Sequence, residues 1–218
     1  AEDRRQYRRD IDEPATGSQM EVADALRLPQ DVPRGHVATV VTHLEMLDKP
    51  LLPPVQSNLS LERWEKPPVA DYLALFRAVG EPWLWTSRLL MASNDVEEIL
   101  HDPATEVHLV RDDDAAVGFI ELDFRQSGQC EIGFFGLVAE MNGQGHGRWM
   151  MNQALKMAWR DDIERVWLHT CTQDSPRALP FYQQNGFHIF KQQLDMMPDP
   201  RLSGHLPETA APHVPIFS

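Results

Sequence analysis

The sequence predicts a mixed α+β domain in which a mostly antiparallel central sheet is flanked by helices. Three observations carry that expectation. Between residues 107 and 138, three apolar runs are joined by the short polar turns Asp112-Asp113-Asp114 and Gln126-Ser127-Gly128, the pattern of antiparallel hairpins. The third run leads into Gly143, Gly145 and Gly147, behind which Met151, Ala154, Leu155 and Ala158 form the i, i+3, i+4, i+7 stripe of a helix lying on a sheet. A strand, a helix and a strand follow, so alternation of the two element types is confined to the second half of the chain.

The elements follow in order. Residues 1–34 are charged, with an apolar period only at 20–28, and read as an N-terminal extension with at most one short helix, closed by Pro29 and Pro33. Residues 37–46 are β-branched and extended, a first strand. Pro50, Pro53, Pro54, Pro67 and Pro68 then exclude regular helix or a central strand. Residues 71–79 predict a short amphipathic helix with Tyr72, Leu75, Phe76 and Val79 on one face, and Asn94 offers an N-cap for a second at 95–101. The meander occupies 107–111, 116–124 and 131–138, and the striped helix 149–160. Residues 165–172 are a further strand. Ser175 predicts a helix cap, Pro176 stands at the first helical position, and Gly186 suits the residue just past the helix end. A last strand spans 187–193. The proline-rich tail, 198–218, has no period, which leaves 35–197 as the domain proper.

Composition narrows the classes. The 218 residues carry a net charge of −13, which argues against a nucleic-acid partner, since that needs a basic face. An acidic surface mildly favours a cationic substrate. No apolar run approaches the roughly 18 residues of a membrane span, and the first residues lack the apolar core of a secretory signal. The two cysteines, Cys130 and Cys171, lack metal-ligand spacing and read as reduced thiols, so a cytoplasmic location is expected.

The glycine segment carries the chemistry. A strand ending in glycines before a helix N-terminus turns backbone amides inward and adds the positive end of the helix dipole, so it cradles an anion, typically phosphate. A P-loop would need Lys and Ser or Thr after the last glycine, where Arg148-Trp149 stand. A dinucleotide turn would need a glycine at position 148 or 150 and a parallel βαβ setting instead of hairpins. The segment from Asn142 to Gly147 instead resembles the acyl-coenzyme A turn of the GCN5-related N-acetyltransferases, Gln/Arg-x-x-Gly-x-Gly/Ala, departing from it at Asn142. The run from Thr170 through Ala178, Phe181, Tyr182 and Gly186-Phe187 resembles the second signature of that family, and both stand in the family's order and separation.

The resemblance covers residues 36–193 and implies the family's acyl-coenzyme A N-acyltransferase fold, with a splayed strand pair at its centre. It implies acetyl-coenzyme A as co-substrate, and transfer to a primary amine, of a small molecule or of a protein or peptide, by direct attack in a ternary complex. Two alternatives remain open: a non-catalytic acyl-coenzyme A-binding module, and transfer of a longer acyl group. Leu137, Val138 and Ala139 stand where the splayed strand pairs with the pantetheine arm, the Leu137 amide facing the thioester oxygen. Asn142, Gly143, Gln144, Gly145, His146, Gly147 and Arg148 form the pyrophosphate turn, Arg148 either touching phosphate or facing solvent. Ser175 either touches the coenzyme or only caps its helix; Ala178 belongs to the same signature. Tyr182 matches the tyrosine that protonates the departing thiolate, the alternative being a core aromatic. Glu131 and Glu121, on neighbouring strands, are candidate bases or merely solvated side chains. Trp83 and Trp85 either line an acceptor pocket or anchor their loop, and Arg88 is a candidate partner for an acceptor carboxylate. His146 is expected to be exposed and His169 to pack. No metal and no membrane partner are expected, and a homodimer would explain an ordered N-terminal extension.

Overall fold

In this computed structural model the structure describes residues 30–218, and the helix expected at 20–28 lies outside them. Strands β1 (His36–Met46), β2 (Ser60–Arg63), β3 (Thr105–Asp112), β4 (Ala115–Asp123), β5 (Gln129–Leu137), β6 (Arg165–Cys171) and β7 (His188–Pro198) form one sheet in the order β2-β3-β4-β5-β6-β1-β7. The hairpins β3-β4 and β4-β5 are antiparallel, as the polar turns demand. β2, absent from the sequence reading, is a four-residue edge strand on β3, the sheet position a proline-rich passage can occupy. β1 runs between β6 and β7, antiparallel to both. A strand's own period identifies it as a strand without naming its neighbours, so this placement was not readable from residues 37–46.

Helices α1 (Val69–Gly80) and α2 (Ser93–His101) cover one face, where Tyr72, Phe76, Val79, Val96 and Leu100 bury against Val107 and Phe119. Helix α3 (His146–Ala158) covers the other, its Met150, Met151, Ala154 and Leu155 packed with Ile120, Leu122, Ile132, Val166 and Leu168. Each large side chain buried there stabilises the fold by about 1.5–3 kcal/mol. α3 begins at His146, directly behind Gly145 at φ 87°, three residues earlier than the apolar stripe suggests. Helix α2 is preceded by Ala92, whose carbonyl accepts from Asp95 and Val96, so Asn94 lies in the first turn and caps nothing.

Helix α4 (Ala178–Gln184) corrects a second cap. Ser175 opens the turn that precedes the helix, its carbonyl accepting from the Ala178 amide at 2.8 Å, and no side chain caps the helix itself. The late start puts Pro180 third in the helix, where an amide has no intrahelical partner to lose.

The tail beyond β7 is irregular, as expected, yet it belongs to the same compact unit, Arg34–Ser218. Arg201, buried with Asp199, donates to the carbonyls of Ala210, Ala211 and Val214, which satisfies backbone that no ladder pairs. Leu206 and Ala211 pack on Leu84.

Candidate active site

The site begins where two strands part. β5 and β6 are parallel neighbours only over Gln129↔Arg165, Cys130↔Val166 and Glu131↔Trp167, and beyond Glu131 the two strands share no pairing. On the other side of β5, Glu121 pairs with Phe134 and Leu122 with Ile132, so Gly133 is the extra residue of a β-bulge that bends the strand there. The Val138 amide donates to Val117 on the β4 side. Strand amides alternate in direction, so those of Leu137 and Phe135 point to the unpaired edge.

That edge opens on a cavity of about 650 Å³. Gly133 to Leu137 form one wall, and Asn142, Gly143, Gly145, His146, Gly147 and Arg148 form one end. Gly143 and Gly145 have φ of 81° and 87°, values that favour glycine, and a Cβ at either would meet nothing within 4 Å. α3 begins there with no capping side chain and no acidic residue in its first turn, which leaves its first amides for an outside anion. Open space and an uncapped helix N-terminus together fit a pyrophosphate. Gly145→Val is therefore expected to weaken coenzyme A binding by about 5- to 30-fold by titration calorimetry, since holding a β-branched residue at this φ in the bound turn costs on the order of 1–2 kcal/mol.

Leu137, Ser175, Ala178 and Tyr182 also line the cavity, as do Trp83 and Trp85. Other expected residues do not. Val138 is tied to β4, Ala139 opens an exposed 3-10 turn, and Gln144 bonds the Glu140 carbonyl. The open edge thus lies earlier on β5 than expected, because the bulge at Gly133 starts the divergence. Trp85 is an anchor as well as a wall: its Nε1 donates to Asp174 at 3.0 Å, and its ring packs on Phe76 and Phe134. Trp83 rests edge-on against His213 of the tail.

Glu121 and Arg88 answer each other. Arg88 Nη2 donates to Glu121 Oε1 at 2.5 Å, and the Tyr72 hydroxyl donates to Oε2 at 2.5 Å. Glu121 is 1% exposed and neither residue lines the cavity. That carboxylate is held by a guanidinium and a phenol away from the cavity, and the Arg88 guanidinium is turned to it. Burial first and the Glu121 charge second push the Tyr72 phenol well up, so it stays the donor.

Glu131 is also off the cavity, but it reaches His169, whose Nδ1 lies 3.3 Å from Glu131 Oε1. His169 lines the cavity, contrary to the expectation that it packs. Its hydrogen bond to Glu131 raises its pKa above the ordinary value of 6.5 against the opposing effect of burial, with the charges of Glu131 and Asp174 adding to the rise. His43, across from it on β1 with ring centroids 5.7 Å apart, is shifted down by burial and by His169. Sequence spacing could not reveal this pair, since Glu131 and His169 meet only through the β5-β6 pairing. Tyr182 packs among Phe135, Phe181 and Phe187, and burial, then the Asp174 charge, raises its pKa. Asp174 itself accepts from Trp85, Thr170 and the Cys171 amide. His169, Tyr182 and the glycine turn therefore line one cavity.

A family model described as "Acetyltransferase (GNAT) family" matches residues 64–187. Acetyltransferase PseH of Campylobacter jejuni subsp. jejuni serotype O:23/36 (strain 81-176) is 29% identical over 100 residues, covering 46% of this chain. The chain spans 62% of the length of that relative. Among solved structures, a GCN5-related N-acetyltransferase from Sphaerobacter thermophilus superposes with a TM-score of 0.54 at 17% identity, over 84% of this chain and 56% of that one. A conserved protein of unknown function from Staphylococcus epidermidis ATCC 12228 gives 0.52 at 16% identity, over 86% and 69%. At such identities the likeness is one of fold, and the family assignment rests on the model match, which takes in more than half of the residues. The chain belongs to the acetyltransferase (GNAT) family.

Proposed function

We propose that the protein transfers an acetyl group from acetyl-coenzyme A to a primary amine by direct attack in a ternary complex. One observation carries this reading. The unpaired edge of β5 opens on a single cavity with the glycine turn at one end and His169 and Tyr182 on its walls. Bound acetyl-coenzyme A supplies an activated acyl carbon there. Gly143 to Arg148 hold its pyrophosphate, and the Leu137 amide is the donor to an oxygen on which charge develops.

His169 takes the proton of the incoming ammonium, and Glu131 positions the ring by accepting from Nδ1–H, which leaves Nε2 as the base. Tyr182 holds a proton for a departing thiolate. A base works deprotonated, so kcat/KM is expected to rise with pH through an inflection above 6.5, because the His169 pKa is raised. Glu131→Gln removes the charge that raises it, so the inflection moves down while fewer correctly turned rings lower the plateau. An unmoved inflection in that variant would remove His169 from the role.

The reading as a whole is tested by coenzyme A release from acetyl-coenzyme A across a panel of amines and peptides, with mass spectrometry of the products. Gain of one acetyl mass on an amine is expected. Coenzyme A binding without any acetylated product would make the protein a binding module instead.

A further inference from the structure

We infer that Gln173 is the residue that recognises the acceptor, and that the acceptor is an amine bearing a hydroxyl or carbonyl oxygen near its amino group. The inference rests on the acetyl-transfer reading above. Gln173 lines the cavity, yet it is 4% exposed, and among the described residues its Nε2 has no hydrogen-bond partner. Leaving such a donor unsatisfied is costly, so its persistence calls for a reason.

The surroundings supply one. His213 Nε2 donates to the Gln173 carbonyl at 2.9 Å, and the next residue, Asp174, is bound to Cys171 through its amide and to Trp85 and Thr170 through its carboxylate. The backbone of Gln173 is pinned on both sides while its carboxamide is left free. The neighbouring carboxylate does not satisfy it: Asp174 holds Trp85, Thr170 and the Cys171 amide, and the Gln173 Nε2 makes no hydrogen bond to it. His213 also braces Trp83 across the same wall, so the tail, the tryptophan loop and the turn after β6 converge beside this amide.

What would occupy the place has a definite chemistry. A carboxamide offers two donors and one acceptor, which suits an oxygen that accepts or, as a hydroxyl, both accepts and donates. An alkylamine offers nothing there and leaves the amide unsatisfied, so it should be rejected relative to its oxygenated counterpart. Trp83 supplies an apolar surface beside it for the carbon frame.

The experiment uses the full chain, acetyl-coenzyme A, and a panel in which each primary alkylamine is paired with its hydroxylated and its carboxamide counterpart. Initial rates of coenzyme A release give kcat/KM for each. The wild type is expected to favour the oxygenated member of each pair by about 10- to 100-fold. In Gln173→Leu and Gln173→Met that preference collapses, because the KM of the oxygenated amine rises toward that of its alkylamine counterpart. The melting temperature should hold or rise, because an apolar side chain removes an unsatisfied amide. A preference that survives both substitutions, or a loss of melting temperature with all rates falling together, overturns the role of Gln173 while acetyl transfer stands. No release with any amine in the wild type overturns the transfer reading, and this inference with it.

Discussion

Tyr182→Phe is expected to lower kcat by about 10²- to 10⁴-fold, the range a positioned acid contributes, with little change in coenzyme A affinity. Tyr182 lines the cavity from α4, and its ring is packed against Phe135, Phe181 and Phe187, so Phe fills the same space and only the hydroxyl is lost. The direction of its pKa sharpens the expectation. Burial, and then the charge of Asp174, hold the phenol above its ordinary value of 10. A raised phenol stays protonated through the neutral range, so the wild type should show no alkaline loss of activity near pH 10 attributable to this group. The raised pKa also makes the phenol a reluctant donor to free water, while a thiolate buried in the same apolar surroundings is a correspondingly stronger base. Single-turnover kinetics separate the chemical step from release. If the chemical step in Tyr182→Phe kept its wild-type rate, the tyrosine would be a wall of the cavity and nothing more.

The contrast between Tyr182 and the glutamates shows what a linear sequence can carry. The glycine turn was legible because its chemistry is local: three glycines, an open strand end and a helix start all lie within a few residues, and the structure keeps them together at Gly143, Gly145 and Gly147. The place of Tyr182 on the cavity was legible for a similar reason, since the segment that resembles the family's second signature contains its own helix. Glu121 and Glu131 were visible as carboxylates on strands, but their partners come from elsewhere. Arg88 arrives from the loop after α1, Tyr72 from α1 itself, and His169 from a strand that meets β5 only through a short parallel pairing. The bulge at Gly133 is the same kind of case. Its glycine could be read, but the register shift between Glu121 and Leu122 belongs to the pair of strands, and it moved the open edge toward Gly133 and away from Ala139. Gln173 gave no signal in the chain at all, because an unbonded amide is defined by what surrounds it.

Arg88→Met is expected to destabilise the fold by about 3–5 kcal/mol, the cost of leaving a buried charge without its partner. The Arg88 side chain is 14% exposed and that of Glu121 2%, so solvent screens the pair weakly. Tyr72 alone would remain on the carboxylate, through one hydrogen bond where there were two. The Arg88 guanidinium also lies over the Phe134 ring at 5.1 Å, and a Cβ on Gly133 would stand 3.7 Å from Glu121 Oε1. The network therefore lies directly under the bulge that parts β5 from β6, and its loss should loosen the cavity wall before the sheet as a whole. Urea unfolding of the variant gives the magnitude, and hydrogen exchange at Phe134 and Gly136, whose amides turn toward β4, should show faster opening there than at Leu109 on β3. The triple variant Tyr72→Phe, Arg88→Met, Glu121→Leu separates pairing from packing. With no charge left to strand, it should recover most of the lost stability, because replacing a whole buried ionic group by apolar side chains of similar size is close to neutral. Recovery of stability with retention of acetyl transfer would assign Glu121 to holding the fold and remove it from proton transfer. Recovery of stability with activity still abolished would return Glu121 to the chemistry, as a group acting through the bulge at Gly133.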